Sequence, residues 1–374
     1  MSIDSPNQHS VSNVGVCPSP ANALSRIGGD RKLPKVDFNA LTRKTYLASG
    51  EYAHVYSAYL DDRKVAVKVL KVEWMNDTRV TEDIKNERQI LGKMASNEGI
   101  VEIKGYGKHD NVPFFVLEYL PITLGSFIKS SRPTWPRIFR YAKEIAMSLC
   151  YLHSRAIQGF TVMHRDLKPD NIMIADDGTV RLVDFGLVCV VKNTSIAGTG
   201  SRKFFSGRSG LNVDALLSPS MNTAIGSSMK NSSPIDPGAS AVDELLDLTG
   251  RTGSLRYMAP EVSRSAKYNE KAEVYTWALI FWEITTGERP YMGINPKTFD
   301  DIVCVRGIRP DLKKCKNWPP ELTELIGRCW GNDIHARPSF TEVVKKLSEI
   351  EENTFGGSVE DIELQVQGCA CAIM

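Results

Sequence analysis

The sequence predicts an α+β fold of two unlike lobes, a β-rich one over about residues 39–120 and a mainly helical one over about 121–352. Three observations predict it. Short runs of β-branched and aromatic residues separated by turn residues fill the first third. Apolar residues recur at helical spacing through most of the remaining chain. With 42% hydrophobic and 24% charged residues, the 374-residue chain can bury a sizeable core beneath a charged surface. That length suits one two-lobed unit with tails.

Residues 1–38, rich in Ser, Asn, Pro and Gly without an apolar period, are expected to form a disordered tail. From Tyr46 to Val69, Gly50 and the Asp61-Asp62 turn punctuate a hairpin and one further strand. A helix over Thr78–Met94, a strand over Val112–Tyr119 and a helix over Arg137–His153 come next. Short strands at Ile172–Ile174 and Val180–Val183 precede an insertion at about 190–250, dominated from 192 to 240 by Ser, Gly, Asn and Pro. Loops of that length are functional or disordered. Helices resume at Asn269–Thr286, Pro320–Trp330 and Ser339–Glu352, and 353–374 is a C-terminal tail. No internal repeat is present.

The net charge of +2, without a dense Lys/Arg block, gives no ground for expecting a nucleic-acid partner. Cys17, Cys150, Cys189, Cys304, Cys315 and Cys329 lack paired zinc-ligand spacing and read as reduced thiols of an intracellular protein. No signal peptide opens the chain, and Ser2 excludes N-myristoylation. The longest apolar stretch, Trp277–Trp282, is too short to span a bilayer.

Four stretches carry chemistry. Ala48-Ser49-Gly50-Glu51-Tyr52-Ala53-His54-Val55 lies in the first hairpin, where backbone N–H groups can cover phosphates. It keeps only the middle glycine of G-x-G-x-x-G-x-V, so a plain hairpin is the alternative. In Val65-Ala66-Val67-Lys68, strand alternation points Ala66 and Lys68 to one face, a small residue beside a base and an ammonium toward α- and β-phosphates. Glu87 on the next helix can pair with Lys68, with Leu91 one turn further facing the core. His164-Arg165-Asp166-Leu167-Lys168-Pro169-Asp170-Asn171 carries the strongest signal. Asp166 can accept the proton of an attacking hydroxyl, Lys168 can neutralise a moving γ-phosphoryl group, and Asn171 can hold a magnesium ion. The competing reading is a charged surface turn. Asp184-Phe185-Gly186 then supplies a second metal ligand, Asp184.

With Ala259-Pro260-Glu261 closing the series, residues from about 40 to 350 resemble a protein kinase domain. The resemblance implies a β-rich N-lobe over a helical C-lobe, with ATP and Mg2+ (Mn2+ as an alternative) in the cleft and a protein as substrate. It implies ATP contacts from Ala48, Gly50, Val55, Ala66, Lys68, and the hinge residues Glu118 and Leu120. It also implies a buried pair between Glu261 and Arg337. Cys329-Trp330-Gly331-Asn332-Asp333 with Arg337-Pro338-Ser339-Phe340 resembles the tyrosine-kinase-like group, Raf-like and mixed-lineage kinases that are mostly serine/threonine enzymes. Lys168 fits that specificity, as does Ser254, placed where such kinases carry a hydroxyl that bonds the catalytic Asp and Lys.

There are departures. Glu273 replaces the Asp that caps the catalytic loop in kinases, residues 155–163 run long, and Ile334-His335 stands where the group often has proline. The activation segment between Gly186 and Ala259 is greatly enlarged. Arg165 is the family's usual receptor for a phosphorylated residue there, and Thr249 and Thr252 are the nominated hydroxyls. The rival readings are a pseudokinase or scaffold, a dual-specificity kinase, and a membrane-recruited adaptor.

Cys371-Ala372-Ile373-Met374 fits a prenylation signal, with Met favouring farnesyl and farnesyltransferase the implied partner. One prenyl chain anchors marginally, so Cys369 is a candidate palmitoyl acceptor, since Glu360, Asp361 and Glu363 make the tail acidic rather than polybasic. The expected location is cytoplasmic, on the membrane periphery.

Overall fold

The computed structural model describes residues 33–94, 97–193, 204–206, 244–316 and 318–356. Cys369 and Cys371, the 1–32 tail and most of the 190–250 insertion therefore lie outside the described residues.

The first lobe is an antiparallel sheet of β1 (Thr42–Ser49), β2 (Ala53–Leu60), β3 (Arg63–Leu70), β4 (Ile103–His109) and β5 (Val112–Glu118), ordered β1-β2-β3-β5-β4. Two-residue turns tie it together. Asp61 and Asp62 between β2 and β3, and Asp110 and Asn111 between β4 and β5, all have positive φ, the backbone a tight right-twisted hairpin demands and Asp and Asn tolerate. Alternation sorts β3. Val65 and Val67 join Leu41, Ala58, Phe114 and Val116 in a small apolar cluster, leaving Ala66 and Lys68 for the opposite face. α1 (Thr78–Met94) buries Ile84, Ile90, Leu91 and Met94 in the main core, together with Leu70 and Phe115.

The second lobe holds α2 (Leu124–Ser130), α3 (Trp135–Ser154), α4 (Pro260–Ser263), α5 (Lys271–Thr286), α6 (Pro320–Cys329) and α7 (Phe340–Phe355), with a π-helical turn at Asp300–Val305. α5 is the axis of this lobe. It is buried on every side from Lys271 to Ile284, the charged Lys271, Glu273 and Glu283 included, and Trp277 donates its indole N–H to Ala142 O of α3 at 2.9 Å. Gly287, left-handed at φ 71°, terminates it, while a reciprocal Ser339–Glu342 capping box starts α7. Two small sheets complete the second lobe: β6 (Ile122–Thr123), β8 (Ile172–Ile174) and β9 (Val180–Leu182), and β7 (Phe160–Met163), β10 (Cys189–Lys192) and β11 (Phe204–Ser206).

Several expectations need correcting. Residues 34–36, assigned by composition to the tail, run beside β4, with Val36 N–H donating to Tyr106 O at 2.8 Å and Tyr106 N–H to Pro34 O at 3.1 Å. The overlong 155–163 stretch makes a tight Ile157–Phe160 bridge around Gly159, left-handed at φ 78°, and then forms β7. The expected insertion contributes β10 and β11 rather than beginning as loop. No helix among the described residues is long and apolar enough to cross a membrane.

Candidate active site

Lys68 reaches the cleft from the middle of β3. Its Nζ lies 2.8 Å from both carboxylate oxygens of Glu87 on α1 and 3.0 Å from Asp184 Oδ1. Burial pulls the ammonium down, but Asp184 and Glu87 more than reverse this and hold it above its usual range. It stays charged. The same row of the sheet carries Ala48, Val55 and Phe115, since Ala48 pairs with Val55, Val55 with Lys68, and Lys68 with Phe115. Ala66 lies beside them on Lys68's face, between Ser57 and Leu117. Gly50 stands exposed at the hairpin tip, its N–H donating to Ala53 O at 2.9 Å.

At the end of β5 the Glu118 carboxylate turns away to accept Glu102 N–H at 2.7 Å and to face Arg181, while Glu118's own N–H donates to Glu102 O at 2.9 Å. Leu120 is buried two residues on.

The catalytic-loop motif is held almost atom by atom. His164 is fully buried, and its Nε2 meets Val183 O at 2.9 Å while its Nδ1 faces Asp166 N–H at 3.3 Å. Only the neutral tautomer with the proton on Nε2 satisfies both. Phe185 packs on that ring at 4.7 Å. Asp166 receives Lys168 Nζ at 2.6 Å and Asn171 Nδ2 at 2.9 Å on Oδ2, and Ser254 Oγ at 3.1 Å on Oδ1. Ser254 thus bonds the aspartate that Lys168 also bonds. Gly253 beside it is irreplaceable on two counts: φ is +92°, and a Cβ would lie 2.5 Å from Arg165 O.

Arg165 and Asp184 sit at φ 65° and 62°, a costly backbone for non-glycine residues, tolerated where surrounding bonds over-determine it. For Arg165 those bonds are visible. Its N–H donates to Glu273 Oε1 at 2.7 Å, its Nε to Leu187 O at 2.7 Å, and its Nη1 to Thr249 Oγ1 at 2.8 Å. Glu273 is braced in turn by His153, whose Nε2 lies 2.6 Å from Oε2. The extra methylene relative to aspartate therefore lets one carboxylate span the catalytic loop and the end of α3. Sequence reasoning missed His153, since nothing local marks a histidine near a helix end as the partner of a glutamate 120 positions away.

The two nominated threonines differ. Thr249 is exposed, with its hydroxyl already at the Arg165 guanidinium. Thr252 is buried, its hydroxyl donating to Thr249 O at 3.1 Å. Below the site, Arg337, buried at 1% exposure, forms a bidentate pair with Glu261 at 2.6 and 2.9 Å.

The metal-ligand pair fits a hard divalent cation. Lys68 holds the Asp184 carboxyl down at about 2 against the opposing effect of burial, and Asp184 is half-exposed with its Oδ2 free of hydrogen bonds among the described residues. Asn171 spends its amide N–H groups on Asp166, which leaves its Oδ1 available. No group of three or more His, Cys, Asp or Glu able to hold a metal ion stands among the described residues. Two protein oxygens suit a cation that keeps its waters and completes its shell with substrate phosphates.

A lysine fixed by a glutamate in one lobe, facing a hydrogen-bonded aspartate and two free ligand oxygens in the other, is the arrangement phosphoryl transfer from a nucleotide requires. Comparison with known proteins agrees. Residues 41–207 match the family described as protein kinase domain, and 240–347 match protein tyrosine and serine/threonine kinase. The chain is 28% identical to the dual specificity protein kinase shkE of Dictyostelium discoideum, covering 93% of this chain and 41% of that protein. It is 26% identical to the serine/threonine-protein kinase STY46 of Arabidopsis thaliana, covering 81% and 43%, and 27% identical to the serine/threonine-protein kinase VIK of the same plant, covering 82% and 59%. The chain thus spans less than two thirds of each of these relatives. It belongs to the protein kinase family, whose members use ATP and a divalent metal. Neither match includes residues 208–239, the heart of the enlarged activation segment.

Proposed function

We propose that the chain is an active serine/threonine protein kinase of the tyrosine-kinase-like group, using MgATP to phosphorylate protein hydroxyls. The observation that carries this reading is the Asp166 carboxylate, fixed by Lys168, Asn171 and Ser254 while Lys68, Glu87 and Asp184 are already joined across the cleft. A pseudokinase has no need to hold all of these at once.

In this reading Asp166 orients the substrate hydroxyl and takes its proton, and Ser254 sets the carboxylate's angle. Lys168 offsets charge on the transferring group and Lys68 holds the α- and β-phosphates, with Ala48, Gly50 and Val55 above the nucleotide and Ala66, Glu118 and Leu120 around its base. Asn171 and Asp184 hold Mg2+, which supplies charge neutralisation on the phosphates. Lys168 and Ser254 support serine/threonine preference. The dual specificity of the shkE relative supports the same for this chain as a second reading.

Two further parts belong to this reading. Phosphorylation at Thr249, received by Arg165, orders the activation segment; the exposed hydroxyl 2.8 Å from that guanidinium favours it over Thr252. Farnesylation at Cys371, with palmitoylation at Cys369, places the kinase on a membrane; the four terminal residues alone support this.

Incubation of the purified full chain with ATP, Mg2+ and a peptide library, with Asp166→Ala as control, tests the reading. Transfer to Ser and Thr that the control lacks supports it. Nucleotide binding without transfer makes the chain a pseudokinase, and equal transfer to Tyr makes it dual-specific.

A further inference from the structure

A groove of about 780 Å³ opens in the second lobe between the α2–α3 connection, the end of α5 and the segment 314–316. Lys129, Arg132, Lys314 and Lys316 line it around a floor that includes Trp135 and Ile284, and no Asp or Glu lines it. Lys314 is matched by Glu288 at 2.6 Å. Lys129, Arg132 and Lys316 are exposed and make no ion pair among the described residues. Clustered cations with no carboxylate in the groove repel one another, and a polyanionic surface relieves that repulsion.

Position adds a second argument. α7 ends at Phe355 against Trp135, ring centroids 6.4 Å apart, and Phe355 also touches Phe139 at 5.7 Å. The last described helix therefore ends beside this groove, and 18 residues, 357–374, follow it in the sequence. Those residues carry the Cys369 and Cys371 signals but no basic run. A single prenyl chain holds a protein only marginally and a nearby polybasic patch is one of the usual second signals. Here the patch would be assembled by the fold rather than written in the tail.

We infer that this groove is a docking surface for an anionic phospholipid membrane, engaged by Lys129, Arg132 and Lys316. The inference deepens the membrane part of the proposed function, yet it concerns electrostatic contact and is tested on unlipidated protein, so failure of the Cys371 reading leaves it standing.

The test uses the unprenylated full chain in sedimentation with phosphatidylcholine vesicles, with and without phosphatidylserine. The wild type is expected to partition at least tenfold more onto phosphatidylserine vesicles, and to lose that preference as salt rises. The Lys129→Gln/Arg132→Gln/Lys316→Gln variant, checked for an unchanged melting curve, is expected to lose at least tenfold of the binding while phosphorylating a soluble peptide normally. Should that variant unfold, Lys129→Gln and Lys316→Gln singly are each expected to weaken binding severalfold. Wild-type indifference to phosphatidylserine overturns the inference, as does unchanged binding by the folded variants. It is equally overturned if binding appears only in Glu360→Gln/Asp361→Asn/Glu363→Gln, which would mean that the chain's own acidic stretch occupies the groove.

Discussion

The two walls of the cleft are fixed to different degrees. In the catalytic loop, His164, Arg165, Asp166 and Asn171 use nearly every polar atom on a named partner, and the bonds come from β9's end, α5 and the activation segment. In the hairpin above it, Ala48 and Gly50 are exposed and tied chiefly by strand pairing. The difference stems from the chemistry each wall would perform. Accepting a proton needs one carboxylate at one angle, whereas covering phosphates needs backbone N–H groups that can close over a ligand and reopen.

The strongest test of the rigid wall is Asp166→Asn, which keeps shape and loses the proton acceptor. We expect kcat to fall by about 10²–10⁴ with KM for ATP little changed, measured by steady-state phosphorylation of a peptide. A kcat within tenfold of wild type would move the base elsewhere and dissolve the contrast.

Next comes the brace. Glu273→Ala removes the acceptor from Arg165 N–H and from His153 together, and we expect about 10–100-fold lower kcat plus a loss of about 2–4 kcal/mol in urea unfolding. Glu273→Asp reaches one partner and not both, so about 1 kcal/mol is expected, and His153→Ala should then add nothing further to it if the lost bond is the His153 one. Independent, additive effects would show that His153 does not act through Glu273.

How much of this was legible beforehand divides along the same line. Lys68, Asp166, Asn171 and Asp184 were readable because their chemistry is written in contiguous motifs, and Glu87 because helical register places it. The long helices were readable too, the one at Thr78–Met94 to the residue. β4 was not, because Gly105 and Gly107 erase its alternation. They are glycines since a Cβ there would lie 2.6 Å from Val36 and 2.4 Å from Val36 O, so the reason sits in a segment some seventy residues upstream. The His153–Glu273 contact and the burial of Thr252 are equally non-local.

The floor beneath the loop offers a pH test. Glu283 on α5 receives one side-chain hydrogen bond among the described residues, from Tyr257 at 2.6 Å, and burial outweighs that bond to push its pKa up to about 7. A folded value above the unfolded one gives stability fully present below about pH 4.5 and lost as pH rises through about 7. Wild type should therefore lose up to about 3 kcal/mol between those limits from this group. Glu283→Gln, neutral throughout, should flatten the slope in thermal melts between pH 5 and pH 8. An unchanged slope would assign the dependence to other groups.

The smallest effect is expected in the open wall. Ala48 stands where the glycine-rich pattern has its first glycine, yet it does not adopt positive φ, so the hairpin backbone does not require glycine there. Ala48→Gly adds freedom to a strand end that is already exposed, at a cost of about 0.5–1 kcal/mol in local stability. Because backbone N–H groups rather than side chains would contact the phosphates, KM for ATP should shift by less than about threefold and kcat should hold. A tenfold change in KM would mean that the hairpin is tuned as tightly as the catalytic loop, and that the missing glycines set how this chain binds nucleotide.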